Sequence, residues 1–136
     1  MKMIPPKESI KKILVFKFGG LGDYLNIMPL LEDLRSFYPD AEISAVASPA
    51  GKELLEHRKH VDNCVVSNEF YKQGGESFFS IQALQDIFRI KRQLDAPYDL
   101  YIDLVSKYSF AGAIKPFIMK VLSRPHFSAG LNYMNR

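Results

Sequence analysis

A single cysteine, Cys64, occurs among the 136 residues, so the chain has no internal disulfide to draw on and suits a reducing compartment. Its setting, "VDNCVVS", is that of a buried strand, where a thiol behaves as a small hydrophobe and has no catalytic role. Long apolar runs are missing too. The most apolar late segment, "FAGAIKPFIMKVL", is interrupted by Lys115 and Pro116 and is too short to cross a bilayer. The first residues, "MKMIPPKESIKK", carry charge but no apolar stretch of signal-peptide length. Nor does charge of one sign dominate: 18 Lys and Arg against 15 Asp and Glu leave a net +3. That surplus suits an acidic small molecule or a headgroup surface without requiring nucleic acid, and no nucleic-acid partner is expected. With 47 % hydrophobic and 24 % charged residues, the chain lies far from the disordered class and fits one domain.

Several standard chemical motifs are absent. A phosphate-binding P-loop requires Gly-Lys followed by Ser or Thr, whereas Gly51-Lys52 is followed by Glu53. A dinucleotide fingerprint read from Gly20 and Gly22 meets Leu25 at its third small position, and no acidic residue closes the second predicted strand. A small nucleotide-binding oxidoreductase is disfavoured accordingly, and no cofactor is expected. His57, His60 and His126 lack Cys or carboxylate partners at ligand spacing, so no metal site is expected. His57 and His60 read as solvated residues at a helix end.

What remains is an alternation of strands and helices. Residues 1–11 read as a flexible tail containing Pro5-Pro6, and residues 12–136 as the folded unit. "KILVF" opens a continuous apolar run of the kind found in strands buried on both faces. The pattern Leu25, Met28, Leu31, Leu34, Phe37/Tyr38 predicts a helix from Asp23, which Pro29 should kink or restart. "AEISAVAS" is a strand, "PAGKELLEHR" a helix entered at Pro49, and "NCVVSN" a third strand. "SIQALQDIFRIKRQLD" predicts a helix capped by Ser80, with Ile81, Leu84, Ile87, Phe88, Ile90/Lys91 and Leu94 as its apolar stripe. "YDLYIDLV", "SFAGAIKPFIMKVL" with a proline break, and "HFSAGLN" complete the series. The spacing predicts an α/β fold with a Rossmann-like, doubly wound parallel sheet. The aromatic pairs Phe70-Tyr71 and Phe78-Phe79 flank a glycine-containing loop and read first as core anchors. Arg89, Lys91 and Arg92 form a basic helix end that complements the helix dipole, with anionic lipid or a phosphorylated acceptor as the other reading.

The stretch "KFGGLGD" lies directly after the first strand, where open α/β sheets bind ligands. Glycines there admit positive φ and close approach of a ligand to backbone amides. Asp23 has two roles open to it: a helix cap accepting from amides two and three residues on, or a base taking a proton from a bound hydroxyl.

"ILVFKFGGLGDYLNIMPLLEDLRSFYPDAEISAVASP" resembles the opening of the heptosyltransferase family, glycosyltransferase family 9. The likeness rests on Lys17, Gly19, Gly20, Leu21, Gly22, Asp23, Pro29, Leu34, Tyr38, Pro39, Ala41 and Ile43, and more weakly on "YDLYIDLV" and "SAGLN". It implies the N-terminal, acceptor-binding half of a GT-B enzyme that transfers heptose from an ADP-activated donor to a lipopolysaccharide-core acceptor. Inversion without a metal is implied, as is work at the inner face of the cytoplasmic membrane by a cytoplasmic protein. On that resemblance Asp23 is the general base. Lys17 holds phosphate or an acidic sugar, and Gly19, Gly20, Gly22, Ser106 and Lys107 face the acceptor. The Gly19-Gly20 pair departs from the serine-rich pair often found there, leaving contacts to backbone amides. The donor-binding half lies outside this chain, so the chain alone is expected to be inactive; the alternative is a stand-alone, non-catalytic Rossmann-like binding module.

Overall fold

The computed structural model describes residues 6–67, 81–104 and 110–130, with side chains in the last stretch from Phe117 onward. Strand β1 (Lys12–Phe16) leads to helix α1 (Leu21–Phe37), then β2 (Glu42–Ala47), α2 (Pro49–Glu56) and β3 (Asn63–Val66). Helix α3 (Ile81–Gln93), β4 (Leu100–Asp103), α4 (Phe110–Ser123) and β5 (Phe127–Gly130) follow. The five strands form one sheet in the order β3-β2-β1-β4-β5, and every neighbouring pair is parallel. The predicted α/β, Rossmann-like, doubly wound architecture is therefore the observed one.

The reason lies in the strand sequences. Successive side chains of a strand point to opposite faces, and from Ile13 to Phe16 both faces of β1 are buried. Ile13 and Val15 join Ile43, Ala45 and Ile102 beneath α1 and α2. Leu14 and Phe16 join Val46, Val65 and Tyr101 beneath α3 and α4, which contribute Ile90 and Met119. Strand β5 differs: Ser128, Ala129 and Gly130 are exposed, and it forms one edge of the sheet. Cys64 sits half-buried in β3 against the first core, and burial pushes its thiol up to about 11.

Several sequence expectations need adjustment. The end of the supposed tail is anchored: Lys7–Ser9 form a short 3-10 turn, Ile10 is buried in the core, and the Lys11 amide donates to Asp99. Burial of Ile10 draws the preceding turn onto the domain. Helix α1 passes through Pro29 and α4 through Pro116 without restarting. Proline removes one amide donor, and in α1 the flanking turns stay bonded because Leu31 and Leu34 are packed in the core. The face of α1 is also turned: Tyr24, rather than Leu25, is buried in its first turns.

The stripe predicted on α3 divides in two. Ala83, Asp86 and Ile90 are buried, with Ile87 and Leu94 packed beside them, whereas Ile81, Leu84 and Phe88 point to solvent. Both sets run at helical three- and four-residue steps, so periodicity alone did not say which would face the sheet. Arg89, grouped in the sequence with Lys91 and Arg92, turns inward, donating to Val66 O at 2.8 Å and pairing with buried Asp86.

Candidate functional site

Helices α1 and α4 leave β1 and β4 toward opposite faces of the sheet. The crevice between the carboxyl ends of those two strands is therefore the topological switch point, where α/β sheets take ligands. The glycine turn lies there. Lys17 follows β1 and its Nζ donates to Leu104 O at 3.1 Å, just past β4. The bond spans the switch point and uses one of the three donors of an ammonium. Partly buried, Lys17 thus ties the two loops together.

Gly20 is the residue before the first turn of α1, and Asp23 stands at the third helical position. Asp23 Oδ2 accepts from the Gly20 amide at 2.9 Å. The predicted cap is thus corrected in its geometry: the carboxylate reaches back to the amide three residues earlier, forming half of a capping box. The reason is that the helix begins at Leu21, so Asp23 has already entered it. A carboxylate in the first turn also complements the positive end of the helix dipole. Asp23 is nevertheless exposed, and a carboxylate offers about four acceptor sites, of which the Gly20 amide fills one.

The glycines are not equivalent. Gly19 has φ +151°, and a Cβ there would come within 2.3 Å of Asp23 Oδ2. Only glycine suits that position, for backbone and for space. At Gly20 and Gly22 an added Cβ would meet nothing within 4 Å, so both border open space. Ser106 and Lys107, the other predicted acceptor contacts, lie outside the described residues, as do the Phe70-Tyr71 and Phe78-Phe79 pairs and the proposed cap Ser80.

Sequence reasoning missed the group that shapes this turn. Tyr24 is fully buried, and its hydroxyl donates to Lys17 O at 2.7 Å while accepting from the Ser48 amide at 2.9 Å. Ser48 Oγ lies 3.1 Å from Gly19 O and 3.2 Å from Tyr24 Oη, and accepts from the Gly51 amide at 3.3 Å as the cap of α2. Gly51 is the seat of the Tyr24 ring, since a Cβ there would fall 2.1 Å from Tyr24 Cζ. Burial raises the Tyr24 hydroxyl above the usual phenol range, opposed by its bonds with Ser48. The loops after β1 and β2 are thereby fastened to each other below the glycine turn. The legible signal was Ser48-Pro49, a cap followed by a proline in the first turn; nothing in the periodicity marked Tyr24.

Among the described residues no three His, Cys, Asp or Glu side chains come together to hold a metal ion, and no helix is long and apolar enough to cross a membrane.

No protein-family model and no curated protein matches the chain. Solved structures do: the fold is similar to "The crystal structure of the glycosyl transferase family 9 from Veillonella parvula DSM 2008", with a TM-score of 0.65 and 18 % sequence identity. The match covers 93 % of this chain and 37 % of that one, so the chain spans little more than a third of a protein whose fold it shares over nearly its own entire length.

Proposed function

We propose that the chain is the acceptor-holding half of an inverting glycosyltransferase resembling the heptosyltransferases, with Asp23 as general base. The acceptor hydroxyl attacks the anomeric carbon of an ADP-heptose-type donor and forms the new C–O bond. The nucleotide diphosphate leaves with the electrons of the old bond, and the hydroxyl proton passes to Asp23. The carrying observation is that an exposed carboxylate stands on a glycine-bordered helix N-terminus at the switch point of this sheet. The fold likeness to a family 9 glycosyl transferase supports the same assignment. Gly20 and Gly22 leave the acceptor room against the backbone, and Lys17 holds the loop beside it. The donor would be bound by a second domain, so the isolated chain is expected to bind acceptor without turnover.

The bond between Asp23 and the Gly20 amide favours a second reading, a non-catalytic Rossmann-like module in which Asp23 serves only as a cap. Two measurements separate them. An immunoblot of source cells should show a polypeptide of about twice this length or more, as a two-domain enzyme requires. In that polypeptide Asp23→Asn keeps an oxygen for the Gly20 amide but removes the base. Its transfer rate should fall about 10²- to 10⁴-fold, while stability drops by no more than the lost dipole contribution of about 1 kcal/mol or less. A rate within about threefold of the parent would leave Asp23 as a cap.

A further inference from the structure

The peptide between Gly19 and Gly20 is gripped on two sides. It is trans, and the carbonyl and amide of a planar trans peptide point in opposite directions. Its carbonyl oxygen lies 3.1 Å from Ser48 Oγ, and its amide donates to Asp23 Oδ2 at 2.9 Å. Ser48, buried at the start of α2, is thus one peptide unit away from the carboxylate of the candidate site.

The proton of the Ser48 hydroxyl has a definite destination. Tyr24 gives its own proton to Lys17 O and already accepts from the Ser48 amide. Ser48 Oγ accepts from the Gly51 amide. Gly19 O is the nearer of the two remaining acceptors, at 3.1 Å against 3.2 Å for Tyr24 Oη, and the Ser48 hydroxyl donates there. Glycine flanks this peptide on both sides and adds no Cβ to resist rotation of its plane. Half a turn of the plane would bring Gly19 O toward the Asp23 carboxylate, oxygen against oxygen, and withdraw the Gly20 amide. The Ser48 bond opposes that rotation. By polarising the carbonyl it also strengthens the amide bond at the far end of the same peptide.

We propose that Ser48 is a positioning residue for Asp23. Its hydroxyl fixes the Gly19–Gly20 peptide, the Gly20 amide fixes Asp23 Oδ2, and Oδ1 is left for the acceptor hydroxyl. The inference rests on the reading of Asp23 as general base. Ser48 also caps α2, and the two roles use different bonds: the cap accepts from Gly51, and the lock donates to Gly19.

Amide hydrogen exchange of the full chain, followed by nuclear magnetic resonance, separates the two roles. Ser48→Ala should speed exchange of the Gly20 amide about tenfold or more, and Ser48→Thr, which keeps the hydroxyl, should restore it. Ser48→Gly should act like Ser48→Ala while keeping α2 folded, because glycine is a tolerated cap. Faster exchange at Gly51 with Gly20 unchanged would make Ser48 a cap only and overturn the inference. In the two-domain polypeptide, assayed with ADP-heptose and a lipopolysaccharide-core acceptor, Ser48→Ala should lower kcat about ten- to hundredfold and leave KM for ADP-heptose within about twofold. Ser48→Thr should recover the rate. An undiminished kcat in Ser48→Ala, where Asp23→Asn is inactive, overturns the inference alone. An Asp23→Asn enzyme that keeps its rate overturns the base reading and the inference with it.

Discussion

Tyr24 occupies a position that a side chain of any other size would leave badly fitted. Its ring fills the space that Gly51 leaves, and its hydroxyl joins Lys17 O to the Ser48 amide and hydroxyl. Tyr24→Phe keeps the ring but strips partners from a part-buried carbonyl and a buried amide, and such orphaned polar groups cost about 1–3 kcal/mol together. The urea midpoint should fall accordingly, with the slope of the transition unchanged. A loss under about 0.5 kcal/mol would mean that the loops hold their shape without the hydroxyl. The same residue shows the limit of sequence reading. An apolar pattern cannot tell a tyrosine buried for its ring from one placed for its hydroxyl, and it assigned the helix face to the neighbouring Leu25.

At the scale of elements, strands were more legible than helix faces. Ile13 to Phe16 are buried on both sides, so a simple apolar run identifies β1 and implies parallel neighbours. Helices α1 and α3 carry apolar residues on more than one side, and the direction of the sheet, which no local pattern encodes, chose between them. The helix start was misplaced for a related reason: Leu21 and Gly22 are poor signals, so the sequence pointed to Asp23 as the cap although the helix begins before it. The glycine-rich first turn of α1 can be tested directly. Gly22 lies inside the helix with nothing within 4 Å of an added Cβ, and alanine there should stabilise the fold by about 0.5–1 kcal/mol. If an acceptor approaches the backbone at this turn, as proposed, Gly22→Ala should also weaken acceptor binding. Stabilisation with undiminished affinity would place the ligand elsewhere.

For the molecule as a whole, the candidate site lies at the carboxyl edge of the sheet, and aspartates fasten the opposite edge. Asp99 Oδ2 accepts the Lys11 and Lys12 amides and joins β1 to the approach to β4. Asp62 Oδ2 accepts the Ile43 amide at 2.8 Å and Arg35 Nη2 at 2.7 Å, while Arg35 also donates to Ala41 O at 2.7 Å, so α1, β2 and the start of β3 meet at one carboxylate. Partial burial by itself would raise the Asp62 carboxyl; the Ile43 amide and then Arg35 outweigh it and hold the group below its ordinary value of 3.8. A carboxyl with a depressed folded-state pKa adds stability that is fully present above its unfolded value and is lost as pH falls through the folded one. The Asp62 contribution should therefore be whole at about pH 6 and disappear progressively below about pH 4. With the Asp62 side chain 44 % exposed, solvent screening limits the ion pair to about 1 kcal/mol or less. Urea midpoints of the parent and of Asp62→Asn should thus differ near neutrality and converge toward about pH 3, because the asparagine variant has no proton to take up at that site. A gap that stayed constant across that range would assign the effect to lost hydrogen bonding rather than to charge, and the edge would then be held by geometry alone.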